Sequence, residues 1–181
     1  MSLSSHKIYG PKGCGALVFE KGIEINPLIL GGGQEQNLRA GTENVAAIVG
    51  FGKAAELAQA ELALYGQHLL KLRKLLEDGL ATISGLTIFS QHAERLPNTV
   101  QFGVQGIDGE MLLMKLDKKG IAVSSGSACA SGGSQPSPVL LAMGVDASLA
   151  KSAIRISLGK ANTEAELIEF ISLLKTLVYQ R

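Results

Sequence analysis

Residues 123–133 read "VSSGSACASGG". After Val123 every residue is small, and among them sits Cys129, one of only two cysteines. The small neighbours give the thiol reach and freedom, and its nucleophilicity then depends on a lowered pKa. The plain alternative is a small buried hydrophobe, and the residues alone leave both readings open. Cys14, within the apolar run "GCGALVFE" (13–20), suits the buried reading. Alkylating reagents are therefore expected at Cys129 before Cys14, and residues 124–135 are expected to be the least ordered internal segment.

The surroundings of this stretch alternate between strand and helix signals. "LTIF" (86–89), "NTVQFGV" (98–104) and "IAVSS" (121–125) read as strands. "DGEMLLMKLDKKG" (108–120) reads as a helix, with Asp108 as N-cap and Gly120 as its stop. Ser137-Pro138 opens a short helix with proline at its first position, ending near Gly144. In "SAIRISLG" (152–159), Ile154 and Ile156 share one strand face and Arg155 takes the other. Thr163 and Glu166 form a capping box for the last helix. Its apolar stripe is predicted as Leu167, Ile168, Ile171, Leu174, Leu177 and Val178. Residues 85–181 thus read as an α/β domain with a small sheet.

Upstream, "SLSS" (2–5) reads as a strand end and 13–20 as a buried strand, while 24–44 is irregular and holds three consecutive glycines. From Asn44 a helical pattern runs through Val45, Ile48, Val49, Leu57, Leu62, Leu69, Leu72, Leu76 and Leu80. It predicts a long linking helix that Gly50, Gly52 or Gly66 could bend or divide. Two strands alone are marginal in water, and apolar strand edges need partners. More strands are therefore expected upstream.

Bulk properties narrow the class. At 181 residues, the chain fits one domain, or one and part of another. Without tryptophan and with 4% aromatic residues, its core must be aliphatic. A net charge of +1 without a basic run gives no sign of nucleic acid or an anionic membrane as partner. No apolar run reaches the roughly 18 residues of a membrane span, and no signal segment opens the chain. Two cysteines 115 positions apart suit neither a disulfide framework nor a metal site. A cytoplasmic protein is expected.

Several other residues are candidates for chemistry. Lys7 follows "SLSSH" and could form a Schiff base if a pocket freed its amine of the proton; otherwise it is a solvated lysine. Gly41, Thr42, Glu43 and Asn44 precede a helix, where N–H groups and a hydroxyl suit a phosphate, or where Thr42 or Asn44 simply caps. Arg155 could grip a carboxylate through its planar fork, or lie on a solvated sheet face.

Taken together and in order, "SSHKIYGPKG", "GGGQEQNLRAGTEN", "LPNTVQF", "VSSGSACAS" and "AIRISLG" resemble the cysteine desulfurases of the NifS/IscS type. These are pyridoxal-phosphate enzymes of the class V aminotransferase family. The resemblance runs from Ser2 to the last helix, and the "SSGSAC" loop is specific to one branch. It implies an α/β fold, namely the C-terminal part of the aspartate aminotransferase-like architecture. Residues 1–43 would be a remnant of the cofactor-binding large domain, 44–84 the linking helix region, and 85–181 the small C-terminal domain.

The resemblance also assigns roles. Lys7 would hold pyridoxal phosphate, and Ser4 and His6 would contact its phosphate. Thr42 would reach the phosphate of the neighbouring subunit in a homodimer. Arg155 would hold the carboxylate of L-cysteine. Cys129 would attack the substrate sulfur, releasing alanine and keeping a persulfide for a sulfur acceptor or scaffold protein. A full family member carries about as many residues again before the lysine, including an aspartate for the pyridine nitrogen. Asp78, Asp108, Asp117 and Asp146 all fall on helices or helix ends, so the cofactor site is expected to be incomplete here. The chain alone is accordingly expected to be inactive, to self-associate, or to pair with an N-terminal half. Two other possibilities are a non-enzymatic sulfur carrier or interaction module acting through Cys129, and a selenocysteine lyase-like enzyme.

Overall fold

A computed structural model describes residues 1–125 and 135–179. Cys129 and most of the segment expected to be least ordered lie outside the described residues. The chain divides into two compact units, Met1–Ala63 and Leu64–Arg181.

In the first unit, β1 (Ser2–Ser4) pairs antiparallel with β2 (Gly15–Leu17), Leu3 opposite Ala16. A 3-10 turn, Ser5–Ile8, follows β1 directly and ends on Tyr9 in the left-handed region. The expected buried strand over 13–20 is shorter and open: β2 has three residues, all exposed, and Leu17, Val18 and Phe19 face solvent. The reason is that β1 and β2 form a two-stranded sheet with no further strand among the described residues. In the irregular stretch that follows, Glu35, Gln36 and Asn37 all take positive φ, making a single left-handed turn.

The expected long helix is two helices, α1 (Val45–Ala60) and α2 (Leu62–Leu80), parted at Glu61. None of the three glycines makes the break. Gly50 serves packing instead: a Cβ there would lie 2.8 Å from the Pro11 ring. With the buried Ala47 and Ala54 it forms a stripe spaced three and four residues apart, which is one face of a helix. Small residues on that face let the turn after β1 approach closely.

The second unit is built on a four-stranded antiparallel sheet, in order β3 (Leu86–Ile88), β4 (Thr99–Val104), β6 (Ile154–Ser157), β5 (Ser124–Ser125). Along β4, Val100, Phe102 and Val104 are fully buried, and they point to one face because side chains alternate along a strand. They meet Ile154 and Ile156 of β6, Leu72, Leu76 and Leu80 of α2, Leu112 and Leu116 of α3 (Gly109–Asp117), and Leu174 of α6 (Glu164–Tyr179) in one aliphatic core. Each fully buried leucine contributes about 1.5–3 kcal/mol relative to exposure. The stripe of α6 is rotated slightly from the expected one. Phe170 is buried in it, whereas Ile168 is 58% exposed.

A smaller cluster on the other sheet face joins Phe89, Leu140, Ala150 and Ala153. It includes α4 (Pro138–Ala142) and a short helix not anticipated from the sequence, α5 (Ala147–Lys151), capped by Asp146. α5 lies so close to the sheet that a Cβ on Gly103 would come 2.8 Å from the Leu149 carbonyl and from Ser152 Oγ. The predicted capping box is present: Thr163 N–H donates to Glu166 at 2.8 Å and Glu166 N–H donates to Thr163 Oγ1 at 3.3 Å. Among the described residues, no helix is long and apolar enough to cross a membrane.

Candidate active site

The junction of β1 with its 3-10 turn places three of the sequence-predicted residues side by side. Ser4 ends the strand in an extended conformation and is half-buried, and His6 and Lys7 are exposed on the turn. The turn is anchored from behind. Ser5 is fully buried, its N–H donates to the Cys14 carbonyl at 3.0 Å, and its own carbonyl accepts from Gly10 N–H at 3.0 Å. Gly10 is obligatory to this packing, because a Cβ there would collide with Ser5 Oγ. Among the described residues, Lys7 Nζ has neither a hydrogen bond nor an ion pair. Cys14 is free and half-buried, just before β2.

Thr42 stands exposed three residues ahead of α1. The helix is capped by Asn44, whose Oδ1 accepts from Ala47 N–H at 3.2 Å. Capping therefore leaves the Thr42 hydroxyl without a partner among the described residues. An unpartnered primary amine next to a hydroxyl and an imidazole is a donor set that fits an aldehyde and a phosphate.

Arg155 lies in the second unit at the middle of β6, half-buried, opposite Gln101 of β4 on one side and Ser124 of β5 on the other. Its Nε is buried without a partner, and its side chain makes no hydrogen bond or ion pair among the described residues. Buried donors are nearly always satisfied in folded proteins. Arg95 Nε is likewise buried without a partner, but its terminal nitrogens are engaged, whereas the whole Arg155 fork is open among the described residues, and a carboxylate matches that fork. Alternation along β4 could have put Gln101 on the Arg155 face. Which strand pairs with β6, and in what register, was not legible.

Asp78, Asp108 and Asp117 are placed as their sequence positions indicated, and Asp146 caps the unanticipated α5. Asp108 Oδ1 caps α3, accepting from Glu110 and Met111 N–H at 3.0 and 3.1 Å, and Asp108 Oδ2 lies 3.6 Å from Lys151 Nζ. The Met111 N–H, helped by Glu110 N–H and Lys151 and opposed by burial, holds its pKa below the ordinary value. Asp146 caps α5, and its pKa is lowered first by the Ser148 hydroxyl and then by the N–H groups of Ser148 and Leu149. Asp78 and Asp117 are exposed on α2 and α3.

A second ionic group was missed in the sequence. Glu77 receives Arg95 at 2.5 Å and Arg73 at 3.7 Å, while Arg73 also donates to the Leu96 carbonyl at 2.9 Å. It fastens the 91–98 loop to α2.

Comparison with known proteins gives a consistent picture. Residues 1–170 match the family described as aminotransferase class-V. The chain is 46% identical over 178 residues to the cysteine desulfurase IscS of Methanosarcina thermophila, covering 98% of this chain and 44% of that protein. It is 44% identical to a cysteine desulfurase of Rhodobacter capsulatus, again over 98% of this chain and 46% of the relative. Among solved structures, a NifS-like protein superposes with a TM-score of 0.87 at 42% identity, covering 98% of this chain and 45% of that one. A NifS-like protein from Rickettsia africae superposes with a TM-score of 0.88 at 38% identity, covering 99% and 47%. The chain thus spans less than half the length of these relatives. The α/β fold, of the pyridoxal-phosphate-dependent aspartate aminotransferase type, is the one the sequence motifs implied. On the match over residues 1–170, the chain belongs to the class V aminotransferase family.

Proposed function

We propose that the whole protein is a pyridoxal-phosphate-dependent cysteine desulfurase, to which this chain contributes the cofactor lysine, the carboxylate-binding arginine and the sulfur-accepting thiol. Residues 1–43 belong in this reading to the cofactor-binding domain, 44–84 to the link, and 85–181 to the small domain. The supporting observation is Arg155, a half-buried guanidinium without a partner among the described residues, flanked by two neutral side chains. The names of the relatives support the choice of reaction.

When bound, pyridoxal phosphate supplies an electron sink that allows the Cα proton of an amino acid to leave. Lys7 Nζ would hold the cofactor, and its amine would carry the Cα proton. Ser4 and His6 would bind its phosphate, and Thr42 would do so in the neighbouring subunit of a homodimer. Arg155 grips the α-carboxylate of L-cysteine in two parallel bonds. Cys129, outside the described residues, attacks the substrate sulfur as the thiolate. A sulfur–sulfur bond forms, the carbon–sulfur bond breaks with its electron pair going to carbon, and protonation of that carbon together with return of a proton to Cα gives L-alanine. The outer sulfur of the Cys129 persulfide then passes to a nucleophile of an acceptor protein, with the Cys129 thiolate as leaving group, for iron–sulfur cluster assembly or related pathways in the cytoplasm.

The test is Arg155→Lys in the full-length protein. Lysine keeps the charge and loses the fork, so the cysteine concentration for half-maximal alanine release should rise about tenfold or more while cofactor retention is unchanged. Loss of cofactor with an unchanged cysteine dependence would overturn the assignment. Sulfur loading of Cys129 from a persulfide donor, with no alanine formed from cysteine, would identify a carrier instead.

A further inference from the structure

We propose that Gln101 and Ser124 set the selectivity of Arg155, by keeping its flanks uncharged so that its fork stays available to an external carboxylate. This rests on the carboxylate reading of Arg155 given above. The register places Gln101 directly opposite Arg155 on β4 and Ser124 directly opposite it on β5. The three side chains therefore form one row across the sheet face opposite the aliphatic core.

A direct cross-strand pair brings Cβ atoms to about 4.5–5.5 Å, a separation at which an acid and an arginine join. The same unit shows what happens when an acid is within reach. Arg73 and Arg95, both half-buried, converge on Glu77, and their terminal nitrogens also donate to backbone carbonyls, so that on Arg95 only Nε is left without a partner. Those two guanidinium groups share one carboxylate and are held in place by it. Arg155 has comparable burial and two flanking positions, yet neither flank carries a charge. Gln101 and Ser124 form no side-chain hydrogen bonds among the described residues, so they do not occupy the fork either. An acid at either position would act as an internal competitor for the substrate carboxylate.

The experiment uses the 181-residue chain and propionate as the carboxylate probe. The Arg155 Nε–H resonance, assigned by its loss in Arg155→Lys, is followed through a propionate titration. In the unaltered chain it should shift and saturate. In Gln101→Glu it should start displaced, and propionate should bind about tenfold more weakly. Gln101→Met, equally long but uncharged, should leave the response in place. The dispersion of the amide spectrum checks that each variant is folded. If Gln101→Glu does not fold, Ser124→Asp makes the same test from the other strand. An acid variant that binds propionate as the unaltered chain does would overturn this inference while leaving the carboxylate reading intact. Silence of the unaltered chain would overturn both.

Discussion

Ser152→Ala removes one oxygen from the second unit, and its cost follows from the bonds that oxygen makes. Ser152 is fully buried three residues before Arg155. Its Oγ accepts from the Val104 N–H at 2.9 Å and donates to the Leu149 carbonyl at 2.8 Å. The carbonyl has a second donor, since Ser152 N–H reaches it at 3.2 Å. Val104 N–H has no second acceptor among the described residues, and its side chain is fully buried on the central strand β4. The substitution therefore strands one buried N–H. An unsatisfied buried donor costs about 1–3 kcal/mol, so a loss of about 2 kcal/mol is expected. Relaxation cannot easily relieve it, because Gly103 and the Leu149 carbonyl already stand in close approach there. Urea unfolding followed through the amide signals of β4 and β6 should show the midpoint lowered by about 1 M. A drop below about 0.3 M would mean that Val104 N–H is not dependent on Ser152, and that α5 does not tie β4 to the strand carrying Arg155.

Ser5 Oγ is buried without a partner, so Ser5→Ala should stabilise the first unit by about 1 kcal/mol. It should also restore much of what Gly10→Ala loses, measured as a double-mutant cycle by hydrogen exchange of the turn; strict additivity would contradict the collision inferred between them. Glu77→Gln leaves two arginines facing a neutral group at a site where Glu77 and Arg95 are 14% and 16% exposed. Part-solvation discounts the full buried-pair penalty, so about 2 kcal/mol is expected in the same urea assay, and no change would make the cluster ornamental. Folding lowers the pKa of Asp108, Asp146 and Glu166, the last chiefly through Thr163 N–H and then through Asn162. Because the unfolded chain binds their protons more readily, this stability is complete above about pH 4.5 and falls away as the pH drops through their folded values. Asp146→Asn should flatten that acid limb in thermal unfolding scans, and an unchanged slope would refute the capping role.

What could be read in advance was local. The Asp108 cap, the Thr163–Glu166 box and the Ser137-Pro138 start each rest on residues within one helical turn, and all three are present. The seam at Glu61 carried no such mark, because helical residues lie on both sides of it and the conspicuous glycines serve packing. The helix capped by Asp146 was missed because five residues are too few to show a period. The run 13–20 looked buried by composition, yet burial depends on what covers a strand and not on the strand itself. The same distinction applies to the candidate site. "SSHK" and the isoleucine-flanked Arg155 were evident as motifs. The neutral row Gln101–Arg155–Ser124 depends on pairing between strands far apart in sequence, which local periodicity does not encode.

The most direct measurement is mass spectrometry of the full-length protein after incubation with L-cysteine, with alanine quantified alongside. The account predicts one added sulfur on Cys129, alanine released in step with it, and both lost in Lys7→Ala. An added sulfur on Cys14, or undiminished loading of Cys129 in Lys7→Ala, would contradict it.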